Sequence, residues 1–141
     1  MDIVIIDHQE TLAHLLRSGR LTVRFFDDPL VAYRCIETAK PAIVFVGFDL
    51  LKDDTPPYIS YLYRIIPDSP IILTAGRLDD RSILDCLAAG ARGYLERNDA
   101  EKFIDKLISA VLNGEAWISR RLVAKLLQRL QHSRRKSLII S

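Results

Sequence analysis

The chain has 141 residues, of which 49% are hydrophobic and 27% are charged, a composition typical of one globular domain. No apolar run approaches the ~18 residues that a membrane span requires, and the first residues, MDIVIID, are acidic, unlike the basic start of a signal peptide. We therefore expect a cytoplasmic location and no membrane partner.

The net charge of +2 conceals an uneven distribution of charge along the chain. All 18 acidic residues lie between residues 1 and 119 with 13 of the 20 lysines and arginines, so this part carries a net charge of −5. The other seven basic residues lie between Arg120 and Lys136, where there is no acid. An acidic body followed by a basic tail indicates two parts with different roles.

The apolar pattern predicts five strands that alternate with five helices. The strands are expected at 2–6, 21–26, 41–46, 70–76 and 91–95. Asp28, Asp79 and Asp99 stand where each could cap a helix, and Gly19 and Gly90 stand where a helix could end. Residues 48–57 read as a loop that ends in Pro56 and Pro57.

Alternating strands and helices predict an α/β fold in three layers, with a parallel sheet between two layers of helices. For five βα units the flavodoxin-like strand order 2-1-3-4-5 is expected. In such a sheet the binding crevice lies at the carboxyl ends of strands 1, 3 and 4. A functional site is therefore expected around Asp7, residues 47–49, residues 74–76 and the residues just after Leu95.

A sixth helix is expected after these five units. Ser119 can cap it, one of its faces carries apolar residues and another carries basic ones. The apolar positions are Leu122, Val123, Leu126, Leu127 and Leu130. Because this amphipathic helix lies outside the five-unit fold, its apolar stripe needs a partner, either the chain's own body or a second copy.

Three segments of the chain resemble the receiver domains of two-component response regulators, in particular the NarL/LuxR-type branch. They are VIIDHQETLAHLL, IILTAG and AAGARGYLERNDAEKFIDKLISAVLNGEAWISRRLVAKLL. The resemblance covers residues 2 to about 130 and is weakest from 47 to 66. It implies the CheY-like version of the flavodoxin-like fold, and a signalling rather than an enzymatic role.

A receiver of this kind transfers a phosphoryl group to an aspartate, which needs Mg²⁺ to neutralise the charge of the incoming group. By the resemblance, the paired acids that hold the metal fall on Ile6 and Asp7, and the phosphoacceptor falls on Gly47. By the same resemblance, the switch hydroxyl falls on Thr74, the switch aromatic falls on Tyr94, and the lysine falls on Arg97. Two of the three carboxylates of the resembled site are thus absent, including the nucleophile.

The resemblance therefore implies an atypical receiver that is not phosphorylated in the ordinary way. Asp49 is the nearby substitute, but on a strand extension it would lie two residues, roughly 6.5 Å, beyond the acceptor position. Asp7 could take part in a weak Mg²⁺ site with Asp49, although we expect no cofactor. We expect Asp7 instead to cap the first helix or to pair with Arg97.

Three functions remain open on the residues alone. The first is a phosphorylation-independent regulatory or dimerisation module of a transcription factor, acting as a homodimer or with a partner protein. The second keeps phosphorylation by a histidine kinase on Asp49 or Asp7. The third is a module that binds an anion or small ligand between Gly47, Thr74 and Arg97.

The resembled branch continues into a DNA-binding helix-turn-helix domain, and the sequence ends at SRRKSLIIS, where that domain would begin. We divide the chain into a degenerate receiver at 1–115, a basic amphipathic linker helix at 116–136, and at 137–141 the start of a missing C-terminal region. DNA would be bound only through that region. A stand-alone receiver is the alternative.

Overall fold

The computed structural model describes the backbone of residues 1–17 and 19–140, and the side chains of this part as far as residue 135. Five strands form one parallel sheet in the order β2-β1-β3-β4-β5, which confirms the predicted flavodoxin-like, CheY-like topology. The strands are β1 Asp2–Ile6, β2 Thr22–Phe26, β3 Ile43–Gly47, β4 Ile71–Ala75 and β5 Gly93–Glu96.

Helices cover both faces of the sheet, because apolar side chains alternate between the two faces of each central strand. Ile3, Ile5 and Phe45 pack on one side against helices α1 (Thr11–Leu16) and α6 (Ala100–Leu112). Val4 and Val44 pack on the other side, against α2 (Pro29–Ala39), α4 (Thr55–Ile65) and α5 (Asp80–Ala89). The predicted three layers are thus observed.

The prediction of a loop over residues 48–57 is wrong. A short helix, α3 (Phe48–Leu51), and a 3₁₀ turn (Lys52–Asp54) follow β3, and α4 begins at Thr55. Pro56 and Pro57 lie in the first turn of α4, where a backbone N–H has no helical acceptor and a proline is tolerated. The two prolines thus mark the start of a helix and not the end of a loop.

The helix caps test the predicted boundaries. Asp28 Oδ1 accepts a hydrogen bond from the N–H of Leu30 at 2.9 Å, and Asp79 accepts one from the N–H of Ser82, so both caps are confirmed. Asp99 precedes α6, but its side chain makes no capping bond, since a 3₁₀ turn (Arg97–Asp99) already leads into the helix. The first helix ends at Leu16, before the expected stop at Gly19.

The sixth predicted helix is α7 (Arg120–Ile140), capped by the hydroxyl of Ser119, which accepts from the N–H of Leu122 at 3.2 Å. It packs on α5 of its own body, where Leu122 is buried and Leu126 is half-buried. The helix shows no break at the expected boundary after residue 136. The expected start of a further domain at 137–141 lies outside the described side chains, and residue 141 lies outside the described backbone.

The segment before α7 covers the edge of the sheet. The backbone N–H of Tyr94 donates to the carbonyl of Trp117 at 3.0 Å, and the N–H of Trp117 donates to the carbonyl of Arg92 at 3.1 Å. A side chain at Gly93 would meet the Trp117 carbonyl oxygen at 2.7 Å, so glycine is required for this approach. The tail is therefore joined to the body ahead of α7. Among the described residues, no helix is long and apolar enough to cross a membrane.

Candidate functional site

Neighbouring strands end together at the carboxyl edge of the sheet and bring the predicted site residues into one region. Ile6 pairs with Val46, so the next residues, Asp7 and Gly47, are adjacent, and Gly47 pairs in turn with Thr74. Arg97 follows β5 at the same edge. The crevice that the sequence predicted is thus formed by residues of four strand ends.

The carboxylate of Asp7 occupies the space beside Gly47. A Cβ atom added at Gly47 would lie 2.3 Å from Asp7 Cγ and 2.5 Å from each of its carboxylate oxygens. These distances are far inside ordinary van der Waals contact, so any side chain at position 47 and the present Asp7 carboxylate exclude each other. The backbone of Gly47 is extended, with φ −81°, and so glycine is needed here for space rather than for conformation.

Asp7 is almost fully buried, and its Oδ1 accepts a 2.7 Å hydrogen bond from the backbone N–H of His8. The imidazole Nδ1 of the half-exposed His8 lies 3.2 Å from the same oxygen. Our expectation that Asp7 caps α1 is wrong, because Glu10 holds the N-cap position. The expected pairing of Asp7 with Arg97 is also wrong, because Arg97 binds a different carboxylate.

That carboxylate belongs to Asp49, whose Oδ2 accepts from Arg97 Nη2 at 3.0 Å. Asp49 lies in the first turn of α3 rather than on an extension of β3, because the chain turns into a helix immediately after Gly47. Its side chain is 45% exposed, whereas that of Asp7 is 6% exposed. The two carboxylates of the crevice are therefore in different environments, one buried beside Gly47 and the other in an ion pair at the surface.

Thr74 and Tyr94 both contact backbone carbonyls. The buried Thr74 hydroxyl makes a long 3.5 Å contact with the carbonyl of Val46, and the Tyr94 hydroxyl donates to the carbonyl of Gly76 at 2.8 Å. Burial, assisted by the negative charge of Glu96, raises the pKa of Tyr94 to about 12. The phenol therefore stays protonated at neutral pH and holds the β4–α5 turn.

A cavity of about 610 Å³ opens next to Asp7, between the start of α1 and the start of α6. Asp7, Thr74 and Arg97 line it on the sheet side, and Glu101 and His14 line it on the helix side. The cavity wall thus holds two carboxylates and one guanidinium that is already paired. This charge pattern is a poor receptor for an anion.

The resembled site also implies Mg²⁺, and the residues present do not fit that ion. Magnesium requires several oxygen ligands in a regular arrangement. Asp7 faces a backbone N–H, Asp49 faces the Arg97 cation, and the hydrocarbon side chain of Ile6 supplies no oxygen. Among residues 1–17 and 19–135, no group of three or more histidine, cysteine or acidic side chains is placed to hold a metal ion.

The sequence reading missed the close approach of Asp7 to position 47. The sequence does contain a signal for this contact. Asp7 follows the buried first strand directly, and Gly47 ends the strand expected to lie beside it. The signal was overlooked because the glycine was read as a missing nucleophile and not as space for another side chain. The ion pairs between α7 and α5 were missed as well, because they join residues more than 40 positions apart.

Comparisons with solved structures show the fold. The isolated REC domain of RcsB from Salmonella enterica serovar Typhimurium, in its apo form, superposes with a TM-score of 0.75 at 19% identity, covering 91% of this chain and 98% of that one. A LuxR-family two-component response regulator from an Aurantimonas species gives a TM-score of 0.72 at 18% identity, covering 91% and 95%. A LuxR-family DNA-binding response regulator from Silicibacter pomeroyi gives 0.71 at 20% identity, covering 86% and 98%.

No protein-family model matches the chain, and no curated protein matches it in sequence. At 18–20% identity the structural likeness establishes a shared fold, and the chain has the fold of these receiver domains.

Proposed function

We propose that the chain is an atypical, phosphorylation-independent receiver that serves as a regulatory and dimerisation module of a response-regulator transcription factor. One observation carries this proposal. The buried Asp7 carboxylate lies where a side chain of residue 47 would have to be, so the position assigned to the nucleophile holds neither a nucleophile nor room for one.

Asp7 is poorly placed to take over the nucleophile's role. A phosphoryl acceptor must present a free carboxylate oxygen in line with the donor, and a cation must neutralise the approaching negative charge. Asp7 Oδ1 is bound to the His8 N–H, and its side chain is only 6% exposed. The guanidinium of Arg97, which could have supplied positive charge, binds Asp49 instead.

Asp49 is the alternative acceptor, and its ion pair with Arg97 opposes this role. The pair directs one carboxylate oxygen at the guanidinium, and Asp49 lies in the first turn of α3 rather than on the strand. Phosphorylation there would first have to break the pair, and Asp7, another acid at this edge of the sheet, already accepts a hydrogen bond from the His8 N–H. The anion-binding alternative meets the same obstacle, because an anion must displace Asp49 and approach Asp7.

The output of the module would pass through the tail. Tyr94 lines a cavity of about 670 Å³ together with Trp117, Arg121 and Leu122, so the switch position of the resemblance adjoins the start of α7. A partner or ligand that changes this region would alter the position of α7 without any phosphoryl group. Contact with DNA would require a C-terminal helix-turn-helix domain, as expected from the resemblance and from the DNA-binding neighbour.

The proposal is tested by treating the protein with acetyl phosphate, or with beryllofluoride, in the presence of Mg²⁺. We expect no mass increase by intact-protein mass spectrometry and no shift in backbone NMR resonances. Asp7→Asn and Asp49→Asn serve as matched variants. A stoichiometric adduct that one of these substitutions abolishes would overturn the proposal and identify the acceptor.

A further inference from the structure

An apolar groove lies on the outer surface of the helical layer, between α2 and α4. Pro29, Leu30 and Tyr33 line it from α2, and Tyr58 and Tyr61 line it from α4. Leu30 is 60% exposed and Tyr61 is 56% exposed, although both are large apolar or aromatic side chains. The hydroxyl of Tyr58 donates to the carbonyl of Pro29 at 2.7 Å, which holds the two helices together at this end of the groove.

Acidic side chains stand at the same end. Asp27 and Asp28 precede α2, and Asp53 and Asp54 precede α4. All four are exposed. Because the Tyr58–Pro29 bond joins the first turns of the two helices, the four carboxylates lie around one end of the groove. An apolar groove with an acidic end suits an amphipathic helix that carries positive charge.

The chain itself contains such a helix. Beside the face that contacts α5, α7 exposes Val123, Leu127 and Leu130, which are 39%, 53% and 57% exposed. Seven basic residues and no acid lie between residues 120 and 136. Three of them pair with acids of α5, and Arg134 and Arg135 follow the exposed stripe. The stripe and the groove are thus complementary in both apolar surface and charge.

The two surfaces of one molecule cannot meet. Helix α2 packs on α4, α4 packs on α5, and α5 packs on α7. With neighbouring helices ~8–10 Å apart, the axes of α2 and α7 are roughly 25–30 Å apart. Ion pairs of Arg121 and Lys125 with Asp80, and of Arg129 with Asp85 at 2.7 Å, hold α7 in its place.

We propose that the exposed stripe of α7 docks in the α2/α4 groove of a second copy of this chain. Pairing of two α7 helices with each other is disfavoured for two reasons. Both helices are strongly basic, and within the described side chains, which end at residue 135, the exposed apolar positions span Val123 to Leu130, far short of the three to four heptads that a coiled coil needs. The contact joins unlike surfaces, and it closes as a reciprocal dimer or continues head to tail.

The inference rests on the dimerisation part of the proposed function and assigns the dimer contact to the α7 stripe and the α2/α4 groove. It is tested without any phosphoryl donor, so a failed association leaves the acetyl phosphate result unaffected. The experiment is sedimentation of the 141-residue chain over a range of concentrations. The groove variant is Leu30→Glu, the helix variant is Leu127→Glu, and the control is Leu112→Glu, an exposed leucine of α6 on the opposite side of the sheet.

We expect the unmodified chain and the Leu112→Glu control to associate, and each of the other two variants to lose affinity by about tenfold or more. An equimolar mixture of Leu30→Glu and Leu127→Glu should recover a 1:1 complex, because the first retains an intact helix stripe and the second an intact groove. Circular dichroism of each variant verifies that it is folded. Added salt should weaken the association, since ion pairs at the acidic end are screened.

Other outcomes overturn the proposal. A monomer at all concentrations rules out self-association. Loss in Leu127→Glu without loss in Leu30→Glu would mean that α7 pairs with α7 or with another surface. Loss in Leu30→Glu alone would mean that two grooves meet. A mixture of the two variants that fails to associate would exclude the contact between unlike surfaces.

Discussion

Substitution of Gly47 by alanine tests the close approach that defines the crevice. The added methyl group would stand 2.3 Å from Asp7 Cγ, whereas carbon atoms pack comfortably at ~3.5–4.0 Å. One of the two groups must therefore move by more than ~1 Å in a buried region. Asp7 cannot turn aside without losing its bond to the His8 N–H. We expect Gly47→Ala to lower the free energy of unfolding by about 1–3 kcal/mol.

The reasoning is checked by repeating the substitution where Asp7 is alanine. The carboxylate is then gone, and the new methyl group has room. Because the backbone at position 47 is extended, glycine to alanine should then be neutral or stabilising by about 0.4–1 kcal/mol through the unfolded chain. The coupling free energy between the two sites should therefore be about 1–4 kcal/mol. Asp7→Asn is the matched control, because its amide has the same shape and the collision should persist.

The assay is equilibrium urea unfolding of the four proteins of this cycle and of the two Asp7→Asn proteins, followed by far-ultraviolet circular dichroism. Equal m-values would show that the variants unfold in the same manner. If Gly47→Ala costs the same free energy with and without the Asp7 carboxylate, the carboxylate does not fill the space beside position 47. The structural basis of the proposed function would then fail.

Further predictions concern the tail and the edge of the sheet. Hydrogen bonds from Lys125 and Arg121 hold the pKa of Asp80 below its usual value of 3.8, so docking of α7 should persist above pH 3.8 and weaken as the pH falls through the lower pKa of the folded state. Methyl NMR of Leu122 measures the docking. The same pH dependence in Asp80→Asn would contradict this prediction. The double substitution Asp80→Asn and Asp85→Asn should speed tryptic cleavage after Lys125, whereas the control Asp105→Asn, on the far side of the sheet, should not. Equal cleavage rates would show that the ion pairs do not hold α7 on α5. Gly93→Ala should destabilise by about 1–3 kcal/mol because its methyl group meets the Trp117 carbonyl, while Gly19→Ala, with open space around it, should be near neutral in the same urea assay. Tyr94→Phe should cost about 0.5–1.5 kcal/mol at neutral pH by removing the bond to the Gly76 carbonyl, and an unchanged urea midpoint would show that this bond contributes nothing.

The fold was predictable because its signals are local and repeat along the chain. The three central strands are short runs rich in β-branched residues, and caps such as Asp28 and Asp79 mark where helices begin. The error over residues 48–57 is also local. Paired prolines disfavour the interior of a helix and favour its first turn, and the sequence contains nothing that separates the two cases before the length of the following helix is known.

The sequence predicted where the site lies but not which side chains contact each other in it. Strand order put Asp7, Gly47 and Thr74 at one edge, but the partners of the charged side chains were misassigned. Arg97 was expected near Asp7 and binds Asp49, because α3 turns the chain immediately after β3 and places the Asp49 carboxylate within reach of the guanidinium. Because α3 is a helix and not the predicted loop, the Arg97 guanidinium contacts Asp49 rather than Asp7.

The sequence by itself determined the parallel sheet, its strand order, the basic amphipathic tail and the absence of a carboxylate at position 47. These follow from periodicity, composition and residue identity, which need no knowledge of distant contacts. Only the tertiary structure decided that Asp7 fills the space beside Gly47 and that α7 is held on α5 by acids of its own body. Steric exclusion and ion pairing act between atoms within a few ångströms, and the residues concerned are about 40 positions apart in the chain.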